Sequence, residues 1–287
     1  LTLQNWNPGS LRLYLAGPFA QAANRFELLT NNVRTVRLKP ESGAREFTLP
    51  ATAIQPAGFG ENEYLLPYPG NAFPGYRILQ EYYVFPEKFL FFDITGLDGW
   101  KNRGKESKFE IIFELIKAPE AEPDIRAKHF LLFVSPAINL FSSSAEPILL
   151  DHRQPEYLIR PDWGGQGQYQ IYAVQKVIGI EQGTVASREY LPFEMFNPQS
   201  KQVPVYSVRT KRSALSNKPE MVLSVAYTGK EDKPNVETLS LDVMCTNADL
   251  PTNLEVGDIH KPTESSPELA YFSNIRIPTS PVQPPLD

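Results

Sequence analysis

The 287-residue chain holds a single cysteine, Cys245, and three histidines, His129, His152 and His260. One thiol excludes an intramolecular disulfide and any cysteine-based zinc site, and it points to a reducing compartment. The histidines lie far apart, with neither HxH nor HExxH spacing, so a metal centre built on imidazoles is not expected. No run approaches the ~18 apolar residues of a membrane-spanning helix. Leu1 follows no signal-peptide pattern. Basic excess is also missing: 28 Lys and Arg stand against 33 Asp and Glu, a net charge of −5. That balance opposes sequence-independent attraction to nucleic acid or an anionic bilayer. The missing initial Met and the abrupt ends suggest a cytosolic piece of a longer chain.

Proline is abundant: 27 of 287 residues, roughly 9% against a usual ~5%. A chain so punctuated favours strands, turns and loops over long helices. The densest apolar stretch is Leu65 to Leu97, LLPYPGNAFPGYRILQEYYVFPEKFLFFDITGL. Within it Tyr76, Leu79 and Tyr83, and again Ile78, Tyr82 and Phe85, recur at helical spacing. Pro74 suits a first helical turn, and Pro86 pushes Phe85 out of the α region, so a helix over 76–85 is expected. Being apolar nearly all round, it reads as core, with Phe89 to Phe92 following as a strand covered on both faces. Tyr76, Leu79, Tyr82, Phe85, Phe89 and Phe91 are therefore the candidate core or interface residues. On that reading Leu79→Ala should cost ~2 to 5 kcal/mol, as buried leucine truncations do.

From the N-terminus, Leu11, Leu13 and Leu15 alternate with polar neighbours as a half-buried strand. A helix opened by Gly17-Pro18 carries the stripe Phe19, Ala22, Ala23, Phe26 and Leu29, and a strand at Val33 to Leu38 follows. Short strand Glu46 to Leu49 and a glycine-rich loop at Gly58 to Glu63 lead into the central stretch. After the polar loop Gly96 to Lys105, which contains Trp100, Phe109 to Leu115 alternates cleanly with one wet face. The acidic, proline-rich segment Ala118 to Asp124 marks an expected domain boundary. Beyond it the pattern is strand and turn: Phe130 to Val134, Tyr157 to Arg160, Tyr169 to Val177, Val203 to Val208, Met221 to Tyr227 and Thr238 to Cys245. Turn signals intervene at 163–165, 197–198, 217–219 and 228–234.

The expected fold is thus mainly β with a few helices: an α+β first part over 1–120, then a β-sandwich or barrel over 125–277. The remaining 278–287, including Pro278 to Pro285, has too many prolines for a sheet and reads as an extended connector.

A screen for chemistry returns no catalytic, cofactor or metal residue. There is no GxSxG elbow, and Ser142 to Ser144 reads as a surface turn. Asp151 and His152 are neighbours pointing to opposite faces if extended. The run Trp163 to Gly167 has no following Lys-Ser or Lys-Thr and no helix after it to hold phosphate. Glu110 and Glu114 could be cast as glycosidase acids but fall on the wet face of their strand. Cys245 shares a face with Leu239, Leu241 and Val243 and should be a buried, inert thiol. A carbohydrate-binding or carbohydrate-cleaving β-protein, suggested by the 11% aromatic content with Trp100 and Trp163, is the alternative to a non-enzymatic scaffold.

Several long words resemble one family. GYRILQEYYVFPEKFLFFDITGL at Gly75 to Leu97, SPAINLF at Ser135 to Phe141, EPILLDHR at Glu146 to Arg153, YQIYAVQKVIGI at Tyr169 to Ile180, CTNADLP at Cys245 to Pro251 and PTSPVQPPL at Pro278 to Leu286 are similar to the TssF family of type VI secretion baseplate subunits. They cover the middle of a typical member. Two places depart: Ser142 to Ser144 stand where basic residues are expected, and Ala248 where CTNRDLP is common. The resemblance implies a phage-like baseplate wedge protein of the contractile injection machine, without cofactors. Two copies would meet one TssG, with TssK as partner and TssE, VgrG, the sheath and the membrane complex further out. It would work in the cytoplasm, at the inner face of the envelope.

Overall fold

The computed structural model describes residues 2–41, 45–68, 72–119, 124–163, 167–183, 186–195, 203–213, 218–227, 236–264 and 266–282. Contacts divide the chain into two compact units, Leu1–Ile138 and Asn139–Asp287. Each builds its own apolar core. Among the described residues the architecture is mainly β with two α-helices.

The first unit places β1 (Ser10–Leu15), α1 (Phe19–Asn31), β2 (Val33–Pro40), β3 (Phe47–Pro50) and β4 (Ile54–Pro56) before α2 (Pro74–Val84). Then come β5 (Phe91–Thr95), β6 (Phe109–Leu115) and β7 (Phe130–Leu131). They form two antiparallel sheets, β4-β5-β1-β7 and β3-β2-β6. The sheets share one core, in which the Phe92 ring meets Phe113 edge-on at 6.4 Å and Phe113 stacks on Phe130 at 6.3 Å. Helix α1 covers this core with the expected stripe: Ala22 and Leu29 are buried, and Phe19, Ala23 and Phe26 pack beside them. Its one buried charge, Arg25, donates to the carbonyls of Ala16 (2.9 Å) and Asp124 (3.1 Å), which ties the last residue of the acidic segment to the residue just after β1.

That tie explains where the units divide. The expected change at Ala118 to Asp124 lies inside the first unit, because Phe130 and Leu131 return to pair with Leu15 and Tyr14. Residues 120–123 of the acidic segment fall outside the described residues, as do most of the turn signals at 164–165, 197–198, 217 and 228–234.

The second unit comprises β8 (Phe141–Ser144), β9 (Ile148–Leu150), β10 (Tyr157–Leu158) and β11 (Gln170–Glu181), then β12 (Ser187–Pro192), β13 (Val205–Arg212), β14 (Pro219–Ala226) and β15 (Glu237–Thr246). One sheet runs β10-β14-β13-β12-β11-β15-β8, with β9 also on β15. Its ends meet. Ala145, between β8 and β9, bridges Pro161, and the Glu146 N–H donates to the Arg160 carbonyl at 2.8 Å. The Ile159 N–H in turn reaches Met221 of β14 at 2.9 Å. Hydrogen bonds beyond the strands themselves thus join the two ends of this sheet, next to β8 and β10.

Strand β15 shows the period of two most plainly, with Glu237, Leu239, Leu241, Val243 and Cys245 buried in the interior row. Burial raises the Cys245 thiol above its ordinary pKa, so it stays protonated and unreactive. Ser142 to Ser144 are not a turn: they form β8, opposite Met244, Val243 and Asp242. A glycine is needed where β11 crosses Glu237, since a Cβ on Gly179 would lie 2.7 Å from both Glu237 Oε2 and the Tyr190 ring. The tail 278–282 has no regular structure, and 283–287 fall outside the described residues.

Candidate functional site

Helix α2 begins with Pro74 at its first position and stops at Val84, ahead of Pro86. It is folded inside out. Its buried residues are Arg77 and Glu81, while Tyr76 is 65%, Leu79 55% and Tyr83 81% exposed. Phe73 and Tyr82 are exposed as well.

The reason lies in what the helix packs against. Residues 58–66 form a loop without strand or helix, so its backbone groups need side-chain partners if they are to be covered. Arg77 and Glu81, one turn apart on one face, supply them. Arg77 donates to the carbonyls of Glu61 (3.2 Å) and Gly60 (3.4 Å) and stacks 4.7 Å from the centre of the Tyr64 ring. Glu81 Oε1 accepts from the N–H groups of Leu65 (2.7 Å) and Leu66 (3.1 Å). Its other oxygen pairs with the Lys88 ammonium, both side chains being almost wholly buried.

The same loop is held from the sheet side. Arg12 on β1 grips Asp93 on β5 with two 2.8 Å bonds and reaches Glu63 at 2.6 Å. Glu63 then accepts from the N–H groups of Gly58 (2.8 Å) and Gly60 (3.0 Å). Burial pushes the Glu63 carboxyl up, but the Gly60 N–H, Arg12 and the Gly58 N–H together hold it below the ordinary glutamate value. Its contribution to stability is in place above about pH 4.3 and is lost as acid protonates it. Gly58 sits at φ +95°, and any Cβ there would come within 3.0 Å of the Lys88 carbonyl oxygen.

The outcome is a rigid helix presenting an apolar, uncharged face. Phe73 and Tyr76 meet edge-on at 5.7 Å, and Tyr83, Tyr82, Phe89 and Phe59 form a second series of ring contacts at 6.0, 5.9 and 4.8 Å. Among the six candidates, Phe89 and Phe91 are buried and Phe85 is half-buried, whereas Tyr76, Leu79 and Tyr82 are on the surface. The core assignment is therefore corrected for those three. The chain over Pro86–Phe89 is also a tight 3₁₀ turn, and the strand starts at Phe91. Leu79→Ala is now expected to change stability by no more than ~0.5 kcal/mol, the range of ordinary surface substitutions. A urea titration showing a cost of several kcal/mol would return Leu79 to the core.

Elsewhere the groups screened for chemistry are occupied. His129 is buried, its Nδ1 accepts the Arg126 N–H at 3.1 Å, and burial, then Arg25, lower its pKa. Asp151 accepts from the Arg153 N–H (3.1 Å) and the Tyr157 hydroxyl (3.0 Å). Glu110 and Glu114 pair with Lys39 and Arg37. In the second unit, buried Glu237 takes the Tyr190 hydroxyl and pairs with Arg188 at 2.8 Å. Burial first, then that contact, drive the Tyr190 pKa up, so the phenol stays neutral. Among the described residues no three His, Cys, Asp or Glu side chains are grouped to hold a metal. Trp100 is buried in the first core, and Trp163 stays exposed with its indole N–H on Ser143 Oγ at 2.7 Å.

Sequence reasoning missed Arg77, Glu81 and Lys88. The signal was present: Arg77 and Glu81 are four apart in an otherwise apolar helix, which puts opposite charges on one stripe.

The chain is 27% identical over 292 residues to the type VI secretion system component TssF1 of Pseudomonas aeruginosa, covering 96% of this chain and 47% of that protein. It matches a chain in the cryo-electron microscopy structure of the type VI secretion system TssK-TssF-TssG baseplate subcomplex with a TM-score of 0.74 and 26% identity, over 97% of this chain and 51% of that one. It thus spans about half the length of the relatives it matches. The family model described as Type VI secretion system, TssF covers residues 1–287, and the chain belongs to that family.

Proposed function

We propose that the chain is a non-catalytic structural part of the type VI secretion baseplate wedge, assembling with TssG and TssK. The observation that carries this reading is the α2 face: several exposed apolar side chains on a helix whose charges are all turned inward. Contiguous exposed apolar surface of this kind marks a site covered by another protein surface. The solved relative, found in a complex with TssK and TssG, supports those two as partners. A second copy of the chain would complete the wedge, with TssE, VgrG, the sheath and the membrane complex beyond it. The setting is the cytoplasm, at the inner face of the envelope; among the described residues no helix is long and apolar enough to cross a membrane. A carbohydrate site loses one of its two tryptophans, since Trp100 is buried.

Co-purification of the full-length protein with TssG and TssK tests the proposal, and a protein that binds neither would sink it. The double variant Tyr76→Ser, Tyr83→Ser should keep the melting temperature within a degree or two. It should weaken assembly by roughly 30-fold or more, as loss of aromatic interface anchors does.

A further inference from the structure

Strand β6 is an open edge. It pairs with β2 alone, and beyond its two ends the Ile116 N–H donates to the Asn32 carbonyl (2.8 Å) while the Lys108 carbonyl accepts the Glu41 N–H (3.4 Å). Backbone groups alternate in direction along an antiparallel strand, so the even-numbered residues turn theirs toward β2 and Phe109, Ile111, Phe113 and Leu115 turn theirs away. Among the described residues no hydrogen bond leads outward from those four. The other sheet edges of the first unit are blunted: β3 has four residues and ends in Pro50, β4 has three and ends in Pro56, and β7 has two. Strand β6 runs for seven residues with no proline, no lysine and no bulge of its own, since the extra residue in the ladder, Arg34, lies on β2. The core is also thinly covered there. Val36 and Leu38 of β2 are fully buried, but the four odd-numbered β6 side chains, which pack against the same core, remain half-buried.

We infer that the outer edge of β6 takes an extended, basic segment of a different protein of the assembly proposed above, on which reading this inference rests. A row of outward N–H and C=O groups at strand spacing is satisfied by another strand, which adds itself to the sheet. The edge also sets the side chains of that strand. On one face it places apolar residues beside Ile111 and Phe113 and completes the cover of the core. On the other it meets Glu110 and Glu114, whose side chains are 69% and 42% exposed and whose β2 partners, Lys39 and Arg37, approach from the inner side. Lys or Arg in the added strand suits those positions, since opposite charges across a strand pair stabilise it. A second copy of β6 does not. Antiparallel pairing over all seven residues keeps odd opposite odd and sets Glu110 against Glu114 twice, and like charges directly opposite destabilise.

Hydrogen exchange at single-residue resolution in the full-length chain, alone and bound to TssG and TssK, tests this. The Ile111, Phe113 and Leu115 amides should exchange readily in the free protein and slow by roughly tenfold or more in the complex, while those of Ile112 and Glu114, turned toward β2, are slow in both. The double variant Glu110→Lys, Glu114→Lys should weaken capture of the partners by roughly tenfold or more, because it sets like charges across the new strand pair. Its melting temperature should fall by no more than a few degrees, since exposed ion pairs add little stability. Wild type that captures neither partner overturns the functional reading. Capture with unchanged exchange at the three amides, or capture indifferent to the charge reversal, overturns this inference alone. Protection already present in the free protein overturns it too: if it grows with concentration a second copy occupies the edge, and if it does not, another part of the same chain does.

Discussion

Glu81→Ala is expected to destabilise the first unit by about 3 to 5 kcal/mol in a urea titration, the usual cost of removing one member of a buried ion pair. Three groups lose their partner together. The Lys88 ammonium stays buried without its counter-charge, and the N–H groups of Leu65 and Leu66 lose the oxygen they share. Each orphaned buried group carries its own desolvation cost. Glu81→Gln separates the contributions, because its amide oxygen still accepts from the loop N–H groups while the charge is gone. The paired change Glu81→Met, Lys88→Met should recover much of the loss, since apolar replacement of both ions removes the uncompensated charge. A cost below about 1 kcal/mol for the alanine variant would show that the loop holds without the helix. The aromatic face would then have no rigid support.

Phe92→Ala is expected to cost a similar amount, about 3 to 5 kcal/mol. Phe92 is fully buried between the two sheets of the first unit, opposite Leu13 on β1 and edge-on to Phe113. Removing the ring leaves a cavity in the middle of a close-packed layer, flanked by strands whose hydrogen bonds resist collapse. Only thirteen positions separate it from Leu79, whose truncation should be almost silent. Denaturant midpoints for the two variants measured side by side test the contrast. Equal costs would contradict the assignment of one to the core and the other to the surface.

Glu81 and Phe92 differ in how far the local sequence reveals their burial: periodicity points to the apolar ring and not to the buried carboxylate. The alternation in β15 and β6 and the stripe of α1 gave their elements and buried faces correctly, because each packs against an apolar layer, the situation that periodicity rules describe. Strand bounds shifted by a few residues where prolines and tight turns intervene, as when the turn Pro86–Phe89 delays β5 to Phe91. The composition of Ser142 to Ser144 suits a turn, but as β8 this run pairs its backbone with β15. Pairing of that sort depends on a strand about a hundred residues away and leaves no local trace. The return of Phe130 and Leu131 to β1 is hidden in the same way.

The β-rich class, the buried thiol and, through its long words, the TssF family are legible in the residues alone. So is the helix that matters, between Pro74 and Pro86. Which way that helix faces depends instead on the layer it packs against. Apolar residues turn inward when the neighbouring layer is apolar, but α2 lies on the loop 58–66, whose bare N–H and C=O groups are satisfied by Arg77 and Glu81. The charges therefore go in, and the tyrosines are left for a partner.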